Sequence, residues 1–291
     1  MRLSETVFAS PDLPYVDSEK TEEKEVDLKY EFTGETKTLE DGTVVKRIRF
    51  LKDLQGYKKG ENGGWIQDTK NLSHLGECVV INEAIVCGMV AVTDNAIVSG
   101  SAKVIGNKIP DSIEEERKVY FGMIRIKDRS HIYGDAEIRG EDILIDDNAS
   151  VGGKVHIGSG TTVCDNARID GNDIRIESSL IKGDASIMID KYCPLIANAV
   201  FNHGAVIIND TDFLIMGPLG SERRTATFYK NKYGYVSVST GCFEGPVEVF
   251  RRRVRDIYGD YDKNPDHKRY YASYLMACNT AEHWIEENVR K

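Results

Sequence analysis

Apolar residues recur at every sixth position through the middle of the chain, and this period constrains the fold more than any other feature. The repeats begin with four valines, Val86, Val92, Val98 and Val104. A second apolar residue stands two positions before each valine, and a glycine or aspartate stands two positions after it. The register returns, with interruptions and one slip, in a longer set: Ile132, Ile138, Leu144, Val151, Ile157, Val163 and Ile169. Such a pattern requires a structural unit of six residues.

A short strand followed by a corner explains a unit of this length. Side chains alternate across a strand, so the two apolar residues of each unit face the same side. Asp, Asn and Gly tolerate the left-handed backbone conformations that corners need, and they recur in Asp94-Asn95-Ala96, Asp147-Asn148-Ala149 and Asp165-Asn166-Ala167. Three such sides close a prism of about eighteen residues per coil, with room for roughly six coils. The period therefore predicts a mainly β fold built on a parallel β-helix, because neither a β-sandwich nor a doubly wound sheet has this period.

The chain divides into four segments around these repeats. Residues 1–26 are rich in charge and predict a poorly ordered arm. Residues 27–77 alternate in two runs and predict an N-terminal β-hairpin that caps the first coil. The β-helix is expected over 78–213, with a loop insertion at 107–125 where the period is lost. Residues 214–291 lack the six-residue period and predict a C-terminal α/β cap.

Three strands followed by two helices are predicted in the C-terminal cap, giving the order β-β-β-α-α. The alternation of apolar and polar residues indicates strands at 213–216, 225–230 and 234–240. Pro246 suits the first turn of a helix. A second helix is expected at roughly 267–289, where apolar side chains recur at helical spacing.

Five short motifs outside the repeats carry a resemblance to a known group of proteins. They are Ile48–Asp53, Gly63–Ile66, Asn71–Ser73, Gly217–Ser221 and Gly241–Gly245. With the repeats, they make the chain similar to phage and bacterial left-handed β-helix proteins, which have hexapeptide repeats and a small C-terminal α/β cap. The wider superfamily includes acyltransferases and γ-class carbonic anhydrases. The resemblance implies a left-handed coil, a homotrimer and a phage origin.

Composition excludes several classes of function. The net charge is −9, from 38 Lys and Arg against 47 Asp and Glu, so nonspecific coating of nucleic acid is not expected. The longest apolar stretch, Ala84–Val92, is too short to span a bilayer. The first residues lack the apolar core of a secretory signal, which favours the cytoplasm of a bacterial host. The six cysteines form no C-x-x-C pair, so neither a disulfide framework nor a zinc knuckle is predicted.

The histidines offer one weak catalytic candidate. A γ-type carbonic anhydrase needs three imidazoles around zinc, and the six histidines here show no such grouping, so we predict no metal and no bound cofactor. His156 stands between two inward residues, so its side chain should point outward, where it could act as general base of an acyl-CoA-dependent acyltransferase. His131 and His203 are less favoured. An outward histidine is more often a solvated residue or a subunit contact.

The segment Gly217–Thr225 contains the most suggestive group of polar residues. Its glycines allow close approach of a ligand, and its hydroxyls and guanidiniums are donors that phosphates and carboxylates prefer. The predicted ligand-binding residues are Ser221, Arg223, Arg224, Thr225 and Tyr229. The run Arg251–Arg255 adds positive charge, whereas a Walker loop is absent. Alternatively, the arginines pair with acidic neighbours and the aromatic residues are structural. Cys242 is expected to be packed rather than nucleophilic.

Three classes of function remain open. The first, which we favour, is a noncatalytic homotrimer that binds a small anionic, nucleotide-like ligand; the resemblance to phage proteins suggests that this ligand is a host defence signal that the protein sequesters. The second is an acyltransferase that uses His156. The third is an architectural phage protein, or one that binds a protein partner.

Overall fold

The computed structural model of the protein describes residues 27–108, 122–191, 195–202, 204–260 and 264–289. The predicted N-terminal arm, most of the predicted loop at 107–125 and His203 lie outside the described residues. Along the described chain the strands are β1 (Tyr30–Thr38), β2 (Val44–Phe50), β3 (Asn62–Ile66), β4 (Val79–Val80), β5 (Ile85–Cys87), β6 (Val90–Val92), β7 (Ile97–Val98), β8 (Lys103–Gly106), β9 (Ile124–Ile126), β10 (His131–Ile132), β11 (Glu137–Gly140), β12 (Ile143–Ile145), β13 (Ser150–Val151), β14 (Lys154–Ile157), β15 (Thr162–Val163), β16 (Arg168–Glu177), β17 (Leu180–Ile181), β18 (Ser186–Ile189), β19 (Ile196–Ala197), β20 (Val200–Phe201), β21 (Val206–Ile207), β22 (Phe213–Leu219), β23 (Arg224–Lys230), β24 (Val236–Thr240) and β25 (Phe243–Pro246). The helices are α1 (Val247–Tyr258) and α2 (Pro265–Val289), and a short 3-10 helix spans Thr69–Asn71.

Strands β3 to β21 form a parallel β-solenoid of about seven turns. Face 1 contains β3, β5, β8, β11, β14, the second half of β16 and β19. Face 2 contains β4, β7, β10, β13, the first half of β16, β18 and β21. Face 3 contains β6, β9, β12, β15, β17 and β20. Strand β16 continues around one corner and so belongs to two faces. The first turn starts at β3, ahead of the region where the repeats become visible in the sequence, which explains why there is one turn more than the six predicted.

The inward stacking predicted from the six-residue period is confirmed. On face 1, successive turns place aliphatic side chains in register with one another: Ile66, Val86, Val104, Ile138, Ile157, Ile176 and Ile196, each at most 1% exposed. The prediction for Leu144 is wrong, because Ile143 and Ile145 point inward in β12 and Leu144 between them points outward. The register therefore slips before Leu144 rather than after it.

The predicted corners are also confirmed. Asp94, Asp147 and Asp165 have φ values of 57°, 55° and 59°, which lie in the left-handed region that aspartate tolerates. The side chains of Asp147 and Asp165 accept hydrogen bonds from backbone N–H groups of the next turn, at Asp165 (3.1 Å) and Gly183 (2.8 Å). Each corner is thus tied to the next one along the rod.

The predicted hairpin precedes the solenoid and covers its first turn. Strands β1 and β2 pair antiparallel, β2 pairs with β3, and β3 joins the solenoid by pairing in parallel with β5. Tyr30, Ile48 and Phe50 extend the solenoid core beyond its first turn. The open end of the rod is therefore closed by apolar side chains of the hairpin.

A four-stranded antiparallel sheet, β22-β23-β24-β25, and two helices follow the solenoid. One side of the sheet packs on α1 and α2 through a cluster that includes Phe228, Phe250 and Ala281. The other side contributes Phe213 and Tyr229 to the solenoid core. The sheet has a short fourth strand, β25, in addition to the three predicted. Neither helix in the described chain is long and apolar enough to cross a bilayer.

Candidate functional site

A cleft of about 250 Å³ opens between the start of β23, the turn after β24 and helix α1. We call it the C-terminal cleft, and its principal side chains are Arg224, Thr240, Cys242, Arg253, Tyr258 and Tyr274. The cleft lies on the helix side of the sheet, away from the solenoid. It combines guanidinium, hydroxyl and aromatic groups, which is the chemistry predicted for the segment around Gly217–Thr225.

The local fold brings the two tyrosines to this cleft. Tyr258 is the last residue of α1 and Tyr274 lies in α2, and their rings stack with centroids 5.9 Å apart. A Cβ atom at Gly220 would lie 2.1 Å from the Tyr274 hydroxyl oxygen, so only glycine at this position allows the ring to come so close. Ser221, the next residue, has its hydroxyl 3.3 Å from the Tyr258 hydroxyl.

Two arginines give the lining of the cleft a net positive charge, although the protein as a whole is acidic. Arg224 is paired with Glu222, which also lines the cleft. Arg253 makes no ion pair within the described part of the chain. Its neighbour Arg251 has a different role, because it bonds to Asn279 (2.7 Å) and Glu282 and so ties α1 to α2. Burial raises the pKa of Tyr274, with Tyr258 and Glu222 adding to the rise, so its hydroxyl remains a hydrogen-bond donor at neutral pH.

The structure brings together some of the predicted ligand residues and separates others. Arg224 lines the C-terminal cleft and the Ser221 hydroxyl lies near the Tyr258 hydroxyl, whereas Arg223 and Thr225 do not line the cleft. Tyr229 is only 1% exposed and points to the opposite side of the sheet, where its ring lies 5.8 Å from that of Phe201. The binding role of all five stays a prediction, and Tyr229 as placed has no surface to offer a ligand.

Two groups in the cleft were missed or misjudged from the sequence. Tyr258 and Tyr274 were not predicted, since they reach the cleft through packing of two helices that are distant from Gly217–Thr225 in sequence. Cys242 was expected to be packed, but it is exposed at the cleft wall because it lies in the turn between β24 and β25. Three other aromatic residues that follow Gly217–Thr225 in the sequence lie elsewhere: Phe228 is buried, and Tyr233 and Tyr235 stack at an exposed turn.

His156 points outward from β14, as predicted, and is partly exposed. Its Nδ1 atom lies 3.3 Å from a carboxylate oxygen of Glu137 in the neighbouring turn. Burial raises the pKa of Glu137, but Arg139, His156 and Lys103 together lower it below its usual value. A carboxylate therefore orients the imidazole, which is one requirement of a general base.

His131 lies on face 2, where its Nε2 atom is 2.9 Å from the hydroxyl oxygen of Ser99. Burial lowers the pKa of His131 below the usual value for histidine, which is about 6.5. The unfolded chain then binds a proton at His131 more tightly than the folded chain, so this contribution to stability is present above about pH 6.5 and is lost as the pH falls through the folded pKa.

We expect the free energy of unfolding in urea to decline on acidification below pH ~6.5, and to decline less in His131→Gln. Equal declines in both proteins would contradict this.

Among the described residues, no group of three or more His, Cys, Asp or Glu side chains is close enough to hold a metal ion. Comparison with known protein families finds no matching family model, and comparison with curated proteins finds no match.

Proposed function

We propose that the protein is a noncatalytic binding protein whose C-terminal cleft holds a small phosphorylated, nucleotide-like ligand. The observation that carries the proposal is the convergence of Arg224 and Arg253 with Tyr258 and Tyr274 on one cleft. Guanidinium groups bind phosphate oxygens through paired hydrogen bonds. Tyrosine rings offer a flat surface on which a nucleobase stacks. Together these groups match the two parts of a nucleotide.

The size of the cleft limits the ligand. Its volume of about 250 Å³ lies just below the roughly 300–1,000 Å³ of pockets that enclose drug-sized molecules. One nucleotide unit is therefore the best match. A larger ligand, such as a cyclic dinucleotide or an ADP-ribose derivative, would extend past Arg253 onto the surface or toward another subunit.

The proposal includes a left-handed homotrimer and the sequestration of a host defence signal, both of which come from the resemblance to phage proteins. One feature of the molecule supports self-association. Met188 and Ile208 are 44% and 46% exposed and line the same surface hollow on face 2. Adjacent exposed apolar side chains often mark contact surfaces. In sedimentation, a single trimer mass is the expected result, whereas continuous growth with concentration would favour the architectural alternative.

Alanine substitutions in the cleft test the binding proposal. We expect Arg224→Ala and Arg253→Ala each to weaken binding roughly 10- to 100-fold, since a hydrogen bond to a charged group contributes about 1.5–3 kcal/mol. The measurement is isothermal titration calorimetry against nucleoside monophosphates, cyclic dinucleotides and ADP-ribose derivatives. Arg252→Ala is the matched control, because Arg252 is exposed on the same helix but does not line the cleft. Flat titrations with every ligand, or equal losses in the control, would refute the proposal.

A second candidate, acyl transfer from acyl-CoA, has one observation in its favour, which is the contact between His156 and Glu137. A thiol-release assay with acetyl-CoA and amine or hydroxyl acceptors separates the two functions. We expect no release above the rate without protein. Thiol release by the unaltered protein that is lost in His156→Ala would favour acyl transfer over noncatalytic binding as the function.

A further inference from the structure

A second cleft lies near the other end of the solenoid, where the β1–β2 hairpin folds over the outer surface of face 1. Val45, Ile85 and Cys87 form a small buried cluster outside the main core, and the partly buried Leu39, Trp65 and Ile105 pack against it. This cluster holds the tip of the hairpin against the solenoid. Beside it is a cleft of about 320 Å³, which we call the hairpin cleft. Its principal side chains are Lys37, Leu39, Ile85, Lys103, Ile105 and Arg139.

Three cations from separate elements meet at the hairpin cleft. Lys37 comes from β1, Lys103 from β8 and Arg139 from β11. Arg139 is paired with Glu137, and Lys37 lies 5.8 Å from the centre of the Trp65 ring. Lys103 is exposed and has no ion pair within the described parts of the chain. Lys103 thus contributes to the cleft wall a cation without a direct ion pair, although the neighbouring Glu137 carboxylate interacts with it electrostatically.

The cleft also contains acidic residues, and these reduce its positive charge. Glu40 and Asp41 line the cleft, and the Asp41 carboxylate accepts a hydrogen bond from the Thr43 backbone N–H (3.0 Å). That hydrogen bond holds the pKa of Asp41 below its usual value, so Asp41 is a carboxylate engaged within its own turn. With Glu137, which pairs with Arg139, three carboxylates balance the three cations, and Lys103 is the cation that makes no direct ion pair in the described chain.

The wall next to the cations is apolar. On face 1, Lys103 lies between two neighbours in the strand register, which are Ile85 in β5 and Glu137 in β11. Ile105, two residues further along β8, faces outward like Lys103 and is partly buried under the hairpin. The hairpin is anchored by its apolar cluster, so the cations are not needed to hold it. They are left to contact another molecule.

We propose that the hairpin cleft is a second binding site, for a small organic anion whose charged group is attached to an apolar body. The anionic group would contact Lys103 and Lys37, and the apolar body would lie on the partly buried Leu39 and Ile105. The site is separate from the C-terminal cleft, since the two share no residue. Its ligand is also different in kind, because the wall here is aliphatic rather than aromatic.

The probe that tests this proposal is 8-anilinonaphthalene-1-sulfonate, which joins a sulfonate to an apolar aromatic body and fluoresces when bound. We expect Lys103→Glu to weaken saturable binding by about tenfold or more, and Lys103→Gln to weaken it less. Lys154→Glu is the matched control, since Lys154 is an exposed strand residue of β14 that does not line the cleft. Melting curves of all variants should match that of the unaltered protein.

Two further measurements keep the result specific to this cleft. Arg252→Ala, a change outside both clefts, should leave probe binding unchanged. Inorganic pyrophosphate, which has charge but no apolar body, should compete only weakly. Equal binding by Lys103→Glu and Lys154→Glu, or loss of binding in Arg252→Ala, would overturn the assignment of an anion site to the hairpin cleft.

Discussion

Replacing Gly153 by alanine should destabilise the solenoid by about 2–5 kcal/mol. Gly153 has a φ of +68°, and a Cβ atom there would lie 2.3 Å from the backbone oxygen of Gly171 in the next turn. Part of the cost is the left-handed backbone, and the rest is a clash with backbone that cannot move without shifting the neighbouring turn. The free energy of unfolding in urea, followed by far-ultraviolet circular dichroism, measures the loss.

Gly160 provides a matched control for this substitution. Its φ is +69°, but the nearest atom to a Cβ built there, in Ser178, is 3.5 Å away. Gly160→Ala should therefore cost only the backbone part, about 1–2 kcal/mol. If the two variants lose the same stability, close stacking of the turns at Gly153 is not what requires glycine there.

Replacing Tyr229 by alanine should cost about 3–5 kcal/mol, as expected for removal of a buried aromatic ring. The ring is packed edge-on against Phe201 at 5.8 Å and belongs to the solenoid core cluster with Phe213. Its hydroxyl lies 3.3 Å from the Ser239 hydroxyl oxygen and also interacts with the backbone of Asn202. Tyr229→Phe should therefore lose only about 1–2 kcal/mol. Thermal unfolding and limited proteolysis of the C-terminal domain measure both effects.

The same pair of variants separates a structural role for Tyr229 from a role in ligand binding. Tyr233→Ala serves as the control for an aromatic residue that is 71% exposed, and its effect on stability should stay within about 0.5 kcal/mol. Tyr229→Phe should bind nucleotides as the unaltered protein does. A selective loss of nucleotide binding in Tyr229→Phe, with stability unchanged, would show that Tyr229 contributes to ligand binding.

The solenoid could be predicted from the sequence because the six-residue period corresponds to one side of each three-sided turn. An equivalent inward position recurs every six residues, and every third one returns to the same interior column, so Val86 and Val104 stack on each other and their burial can be predicted from spacing alone. The pattern fails at Leu144, where three apolar residues in succession, Ile143 to Ile145, leave the inward position undecided. Neighbouring apolar residues give no indication of register unless the turn that precedes them is known.

The C-terminal cleft was less predictable, because it depends on which side of the sheet each residue faces. Phe228 and Tyr229 alternate along β23, and both sides of that sheet are buried, one by helices and one by the solenoid. Burial on both sides removes the polar alternation that would distinguish them. Tyr258 and Tyr274 depend on how α1 and α2 pack, which is a tertiary contact that no local pattern encodes.

The sheet that covers the seventh turn also decides how copies of this protein can assemble. A bare solenoid end presents unpaired strand edges and open aliphatic layers, onto which the first turn of another molecule could add. Here Phe213 and Tyr229 occupy that position, and the hairpin occupies the opposite one. Addition of further solenoid turns through exposed strand edges is therefore blocked at both ends of the described solenoid.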